Sequence, residues 1–240
     1  MIGIILLDTD FPRLLGDIGN PETFAFPVDY EKVEGATPSE VVKRRNPSLI
    51  KPFIDAARAL EERGAQAITT SCGFLAVWQE EIAQSVRVPV FTSSLVQVPW
   101  AFQVAGRRGK IGVLTVDGLS LTGDHFKGVG AGEVPVIVRG MDHASEFCRV
   151  YLGNHPDMDI ARAKNEVVSE AVTLMCENPE VMALVLECTN MAVFGNAVRS
   201  AVSVPVFDIV TLANFVWSAL SKTGAFVAGS RRADSTRQES

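Results

Sequence analysis

The sequence predicts an α/β protein of two pseudo-symmetric lobes, each a small mainly parallel sheet flanked by helices, with the active site in the cleft between them. Three observations carry this expectation. Short β-branched runs alternate with longer stretches of helical period, the pattern of βαβ units. The segment AITTSCGFLAVWQEEIAQSVRVPVF from Ala67 lies without a gap on ALVLECTNMAVFGNAVRSAVSVPVF from Ala183, at an offset of 116 residues. Each half also opens on a related strand that ends in an acid, IGIILLD with Asp8 and IGVLTVD with Asp117.

Taken in order, strands are expected at Ile2 to Leu7, Ala67 to Thr70, Val88 to Phe91, Ile111 to Val116, Val134 to Val138, Met182 to Leu186 and Val204 to Phe207, with helices between them. The clearest helix runs from Pro47 to Arg63. There Ile50, Phe53, Ile54, Ala57 and Leu60 share one face, and Gly64 follows as a stop signal. A second spans Met158 to Glu177. The repeat divides the chain into a first lobe of residues 1–97 with 211–227 and a second of 98–210. The polar tail 228–240 lacks periodicity and aromatics and reads as disordered.

Composition narrows the function. The chain has 240 residues, 47% of them hydrophobic, ample for a buried core. Its formal charge of −6 offers none of the basic excess that a phosphate backbone demands, so no nucleic-acid partner is expected. The N-terminus has no basic region before its apolar run, no cleavage-site pattern and no apolar span of membrane length, so the expected location is cytoplasmic, with no membrane partner.

Four cysteines stand at 72, 148, 176 and 188, with no CxxC pair. Nine positions recur at the 116-residue offset, where chance supplies roughly two. Ala, Val and Phe at those positions suit any buried βαβ unit, but a thiol at the same strand end in both halves sets Cys72 and Cys188 apart. Each precedes a helix start, whose free N–H groups and dipole are expected to lower a thiol pKa and to bind an anion. Cys148 and Cys176 read as small buried packing residues. His125, His143 and His155 have no metal-like spacing, and no metal is expected.

SCGFL and ECTNM resemble the paired cysteine motifs of the aspartate/glutamate racemase superfamily, and the resemblance covers the chain to about Phe226. It implies a cofactor-independent racemase or epimerase, an isomerase that exchanges the proton beside a carboxylate or carbonyl. Cys72 and Cys188 would then act as base and acid from opposite faces. The implied ligand is a small carboxylate, without metal or pyridoxal phosphate, and the implied assembly is a homo-oligomer, a dimer or larger.

Two departures stand out against the glutamate enzymes of that superfamily: Thr189-Asn190 replaces their Thr-His pair, and Gly73-Phe74 replaces their Asn-Thr pair. Both point away from glutamate as substrate.

The same geometry nominates substrate-binding residues: Ser71, Gly73, Phe74, Thr189 and Asn190 beside the cysteines, Asp8, Thr115 and Asp117 at strand ends, and Asn20 and Thr23 in the GDIGNPETF loop. Glu187 stays outside the catalytic set. Two other functions compete with racemisation: a maleate-type cis-trans isomerase with a cysteine nucleophile, and a non-catalytic module that closes on a small anion. Arylmalonate decarboxylases keep only the second cysteine, so Cys72 argues against that activity.

Overall fold

The computed structural model describes residues 1–220, and the tail from 228 lies outside the described residues. Strands β1 (Ile2–Leu7), β2 (Val28–Val33), β3 (Ala67–Thr70) and β4 (Val90–Phe91) form one parallel sheet in the order β2-β1-β3-β4. Strands β5 (Lys110–Thr115), β6 (Val136–Gly140), β7 (Val181–Leu186) and β8 (Val206–Phe207) form a second in the matching order β6-β5-β7-β8. The helices are α1 (Ile50–Glu62), α2 (Gln79–Gln84), α3 (Val98–Val104), α4 (Gly123–Gly128), α5 (Glu146–Tyr151), α6 (Ile160–Glu177), α7 (Gly195–Ala201) and α8 (Ile209–Leu220).

The two-sheet α/β architecture is the one expected, with two local differences. The expected strands at Val88, Val134 and Val204 begin only after Pro89, Pro135 and Pro205. A proline has no N–H for the ladder. All four outer strands follow a proline, and its carbonyl accepts a bond from the neighbouring strand: Pro27 from Ile2, Pro89 from Ile68, Pro135 from Ile111 and Pro205 from Leu184, at 2.9 to 3.1 Å. Strand β2 escapes the sequence reading because VDYEKV carries three charges. It lies at a sheet edge, pairs only with β1, and buries only Val33.

Helix α1 presents Phe53, Ala56, Ala57 and Leu60 to the core, and its first expected turn is a separate 3-10 turn, Pro47–Leu49. Cys148 is buried as expected, whereas Cys176 is exposed, because its position near the end of α6 turns away from the stripe of Ala163, Val167, Ala171 and Leu174. Helix α8 returns to the first sheet, where Ile209, Leu212 and Ala213 pack with Ile2, Ile4 and Phe91.

The two sheets meet through the 3-10 turns that follow β3 and β7, Gly73–Trp78 and Thr189–Phe194. The Thr189 hydroxyl donates to the Ser71 carbonyl and the Ser94 hydroxyl to the Leu186 carbonyl, both at 2.6 Å. Gly128, closing α4, lies against the first of these turns, where a methyl group would meet the Ala76 carbonyl oxygen and come within 3.3 Å of Val77 Cα. Helix propensity alone makes Gly128→Ala stabilising by about 0.5–1 kcal/mol. The close backbone approach reverses the sign: the variant is expected to lose about 1–3 kcal/mol, read as a lower urea midpoint. A midpoint at or above that of the parent chain would refute this packing.

Candidate active site

In both sheets the strand order reverses between the two central strands, the place where a crevice opens at the carboxyl ends of a parallel sheet. Cys72 and Cys188 lie two residues beyond β3 and β7, at the equivalent place in each sheet. Both are buried and both line one cavity of about 30 Å³. That volume is on the order of a single water's share of liquid. Ser71, Gly73, Phe74, Thr189 and Asn190 line it as well, so the cysteines and their immediate neighbours come together.

The thiols differ from the expectation in their ionisation. Burial, reinforced by Glu187, pushes Cys72 up to about 12 and Cys188 well above the ordinary thiol value. The N–H groups at the turn starts act in the expected direction, but six-residue 3-10 turns supply little dipole, and desolvation outweighs them. The two sulfurs are not equivalent. Backbone N–H groups of Phe74 and Leu75 and the charge of Arg13 favour thiolate at Cys72. The Cys188 thiol donates to Asn190 Oδ1 at 3.7 Å, a bond that holds its proton.

Glu187, set aside in the sequence reading, is a central group. It is fully buried, Thr115 Oγ1 donates to its Oε2 at 2.6 Å, and its Oε1 has no partner. Burial raises its carboxyl to about 8, so it is largely protonated at neutral pH. Gly73 faces it across the sheet boundary, where a Cβ would collide with the Glu187 carboxyl and carbonyl oxygens. Gly73 is therefore a packing requirement as well as a lining residue.

Sequence reasoning also missed Asp17, Arg13 and Tyr151. Asp17 is fully buried and accepts from Arg13 at 3.0 Å, Asn190 Nδ2 at 2.8 Å and the Gly19 N–H at 2.7 Å. It thereby orients the amide that faces Cys188. Its position inside GDIGNPETF was the available signal. Arg13 continues to Thr9 Oγ1 at 3.0 Å and lies 4.5 Å from the Phe11 ring centroid. Tyr151, on α5, gave no sequence signal beyond an apolar helical pattern.

Five nominated residues lie outside the cavity lining. Asp8 binds Lys32 and the Gly35 N–H, which occupy both of its carboxylate oxygens. Asn20 caps the turn after it and donates to the Arg13 carbonyl, and Thr23 donates to the Asp17 carbonyl, so both shape the loop that holds Asp17. Thr115 serves Glu187. Asp117 is buried against Lys43, which reaches across from the π-helical turn Ser39–Lys43 and, with the Ser120 hydroxyl, overcomes burial to hold the Asp117 carboxyl well below the usual range. Pro38 and Val42 of the same segment roof the cavity, so the Lys43–Asp117 pair ties the roof to the second sheet.

Among the described residues no group of three or more His, Cys, Asp or Glu is placed to hold a metal ion, and no helix is long and apolar enough to cross a membrane. No protein-family model matches the chain. A dimethylsulfoniopropionate lyase of Durusdinium sp. clade D is 31% identical over 222 residues, 89% of this chain and 73% of the relative. Dimethylsulfoniopropionate lyase 7 of Emiliania huxleyi (strain CCMP1516) is 34% identical over 237 residues, 94% of this chain and 68% of the relative.

Solved structures with the same fold include the allantoin racemase of Klebsiella pneumoniae, with a TM-score of 0.66 at 15% identity and 98% and 96% of the two chains covered. Unliganded arylmalonate decarboxylase has a TM-score of 0.57 at 16% identity, with 93% of each covered. The fold is that of the aspartate/glutamate racemase superfamily, as the paired motifs imply. The activity expected from it is not upheld: the curated relatives over most of the chain are lyases, which overturns the racemase, the cis-trans isomerase and the non-catalytic binding module.

Glu187 generates a stability prediction. Its carboxyl titrates near 4.5 when unfolded and near 8 when folded. Between those values the folded state holds the extra proton, so its contribution declines as pH rises, by several kcal/mol in all. Glu187→Gln keeps the Thr115 contact and removes the titration. Urea unfolding at pH 5.5, 7 and 8.5 is expected to show the variant gaining steadily on the parent; parallel curves would refute it.

Proposed function

Because the chain belongs to the dimethylsulfoniopropionate lyase family, we propose that it is a carbon–sulfur lyase that cleaves dimethylsulfoniopropionate, with Cys72 as the base. The observation that carries the reading is the pair of buried thiols at matching strand ends, lining one cavity with aromatic walls. The substrate joins a carboxylate to a sulfonium through two methylene groups. The proton beside the carboxylate is weakly acidic, and dimethyl sulfide leaves as a neutral molecule.

In this elimination the Cys72 thiolate takes the proton beside the carboxylate. The C–H electron pair becomes the second bond of the alkene, and the C–S pair departs with sulfur. Acrylate and dimethyl sulfide form, and Cys72 becomes a thiol. Sulfur leaves without protonation, so one base suffices. Cys188 faces the reacting carbon as a neutral thiol, held so by Asn190 Oδ1. Phe74 and Phe11 line the cavity as aromatic walls against which the sulfonium methyl groups would pack, as aromatic cages hold other onium ions. A cavity near 30 Å³ is too small for this ligand, so the Pro38–Val42 roof must open and reclose around it, excluding water.

Two outcomes check the reading through dimethyl sulfide release. Cys72→Ser is expected to lower kcat/KM by roughly 10²–10⁴-fold, the usual scale of a lost general base. Cys188→Ser is expected to lower it less, and parent-level turnover in Cys72→Ser would exclude the mechanism. Because the base is a thiol pushed up to about 12, the active thiolate fraction grows with pH, and kcat/KM is expected to climb continuously from pH 6 to pH 9. A plateau beginning at or below neutrality would contradict it.

A further inference from the structure

We propose that Tyr151 is the substrate's carboxylate donor, its hydroxyl hydrogen-bonding the carboxylate while Cys72 removes the neighbouring proton. The choice of ligand rests on the lyase reading; the placement of the donor rests on the cavity itself. Four residues with polar side chains other than thiols line that cavity, and three are already engaged. Ser71 Oγ accepts from the Leu7 N–H at 3.0 Å, Thr189 Oγ1 donates to the Ser71 carbonyl at 2.6 Å, and Asn190 Nδ2 donates to Asp17 at 2.8 Å. Tyr151 Oη is the fourth, and it is buried with no partner. A buried hydroxyl without a partner is costly to fold around, so in a closed site it marks where a ligand's acceptor belongs.

The ring is held in place from several sides. Phe11 meets it edge-on at 4.9 Å between centroids, and Phe147 lies at 4.7 Å. Its helix is fixed at the start by Ser145, which caps the Cys148 N–H at 3.1 Å. Glu166 of α6 accepts the N–H groups of Glu146 and Phe147, both at 3.1 Å. Tyr151 can therefore keep its hydroxyl aimed without the hydroxyl itself being tied.

Arg13, the obvious alternative anchor for a carboxylate, is committed to Asp17 and Thr9 and does not line the cavity. Burial, with Asp17 and Cys188 nearby, pushes the Tyr151 phenol far above its ordinary value. The group remains an O–H donor across the working pH range and cannot serve as the base. As the α-proton leaves, negative charge builds on the carboxylate oxygens, and a preplaced donor there strengthens its bond in the transition state.

The donor also breaks the symmetry of the roof. The segment after β2 contributes Pro38 and Val42, both apolar, while the segment after β6 contributes Tyr151 and Leu152. Only one side offers a hydrogen bond, so a zwitterion is seated in a single direction. That suits an elimination, where one face loses a proton and the other end loses sulfur.

The test is Tyr151→Phe, which keeps the ring and deletes the hydroxyl, followed by three readouts: thermal midpoint, acrylate affinity by calorimetry, and kcat and KM for dimethyl sulfide release. The expected result is an unchanged or raised midpoint, acrylate affinity weaker by about tenfold, and kcat lower by roughly 10²-fold, the scale of a lost oxyanion donor. A lowered midpoint would show that the hydroxyl serves the fold and would overturn the proposal. So would equal acrylate affinity in the two proteins, or no acrylate binding by either. If the parent chain binds acrylate through Tyr151 yet releases no dimethyl sulfide, the donor assignment stands and the lyase reading falls.

Discussion

The contact on which the site depends is the seating of Glu187 against Gly73. A carboxyl at the end of one sheet is buried completely because the facing residue of the other sheet has no side chain. Thr115 satisfies one oxygen, and Thr189 and Ser94 bond across the same boundary to the carbonyls of Ser71 and Leu186. These contacts bring the two strand ends into register. Once they are in register, Cys72 and Cys188 have no choice but to share a cavity. The same burial raises both thiols, so the geometry that pairs them also suppresses their ionisation.

A symmetric scaffold here carries asymmetric surroundings. The sheets repeat strand order, proline placement and cysteine position. The residues around each sulfur do not repeat. Cys72 has two backbone N–H groups and the field of Arg13, whereas Cys188 has the single N–H of Asn190 and an amide oxygen fixed by Asp17. Inverting a stereocentre calls for two thiols of comparable role; an elimination with a neutral leaving group needs only one base. The local asymmetry suits the second kind of chemistry, the kind proposed for this chain.

The roof of the cavity is pinned from the opposite sheet. Pro38 and Val42 belong to a segment whose π-helical turn ends in Lys43, and Lys43 reaches Asp117 of the second sheet. One ion pair thus spans the mouth. Asp117 was read from the sequence as a ligand contact because it mirrors Asp8 at the end of the opposite strand. In the fold both acids bind lysines, Asp8 with Lys32 and Asp117 with Lys43, but only the second pair bridges the sheets.

The sequence by itself determined the two-sheet fold and singled out the cysteines, because hydrophobic period and internal repetition are properties of local order along the chain. It identified Ser71, Gly73, Phe74, Thr189 and Asn190 as cavity neighbours simply because they adjoin the thiols. It overlooked β2, whose charges suit an exposed edge, and it set aside Glu187 and passed over Asp17 and Tyr151, whose partners lie far away in the chain. Only the tertiary structure decided the protonation of the site, since burial is a sum over all neighbouring atoms and no motif records it. It decided equally which polar groups are spent on the fold and which, like the hydroxyl of Tyr151, are left without a partner.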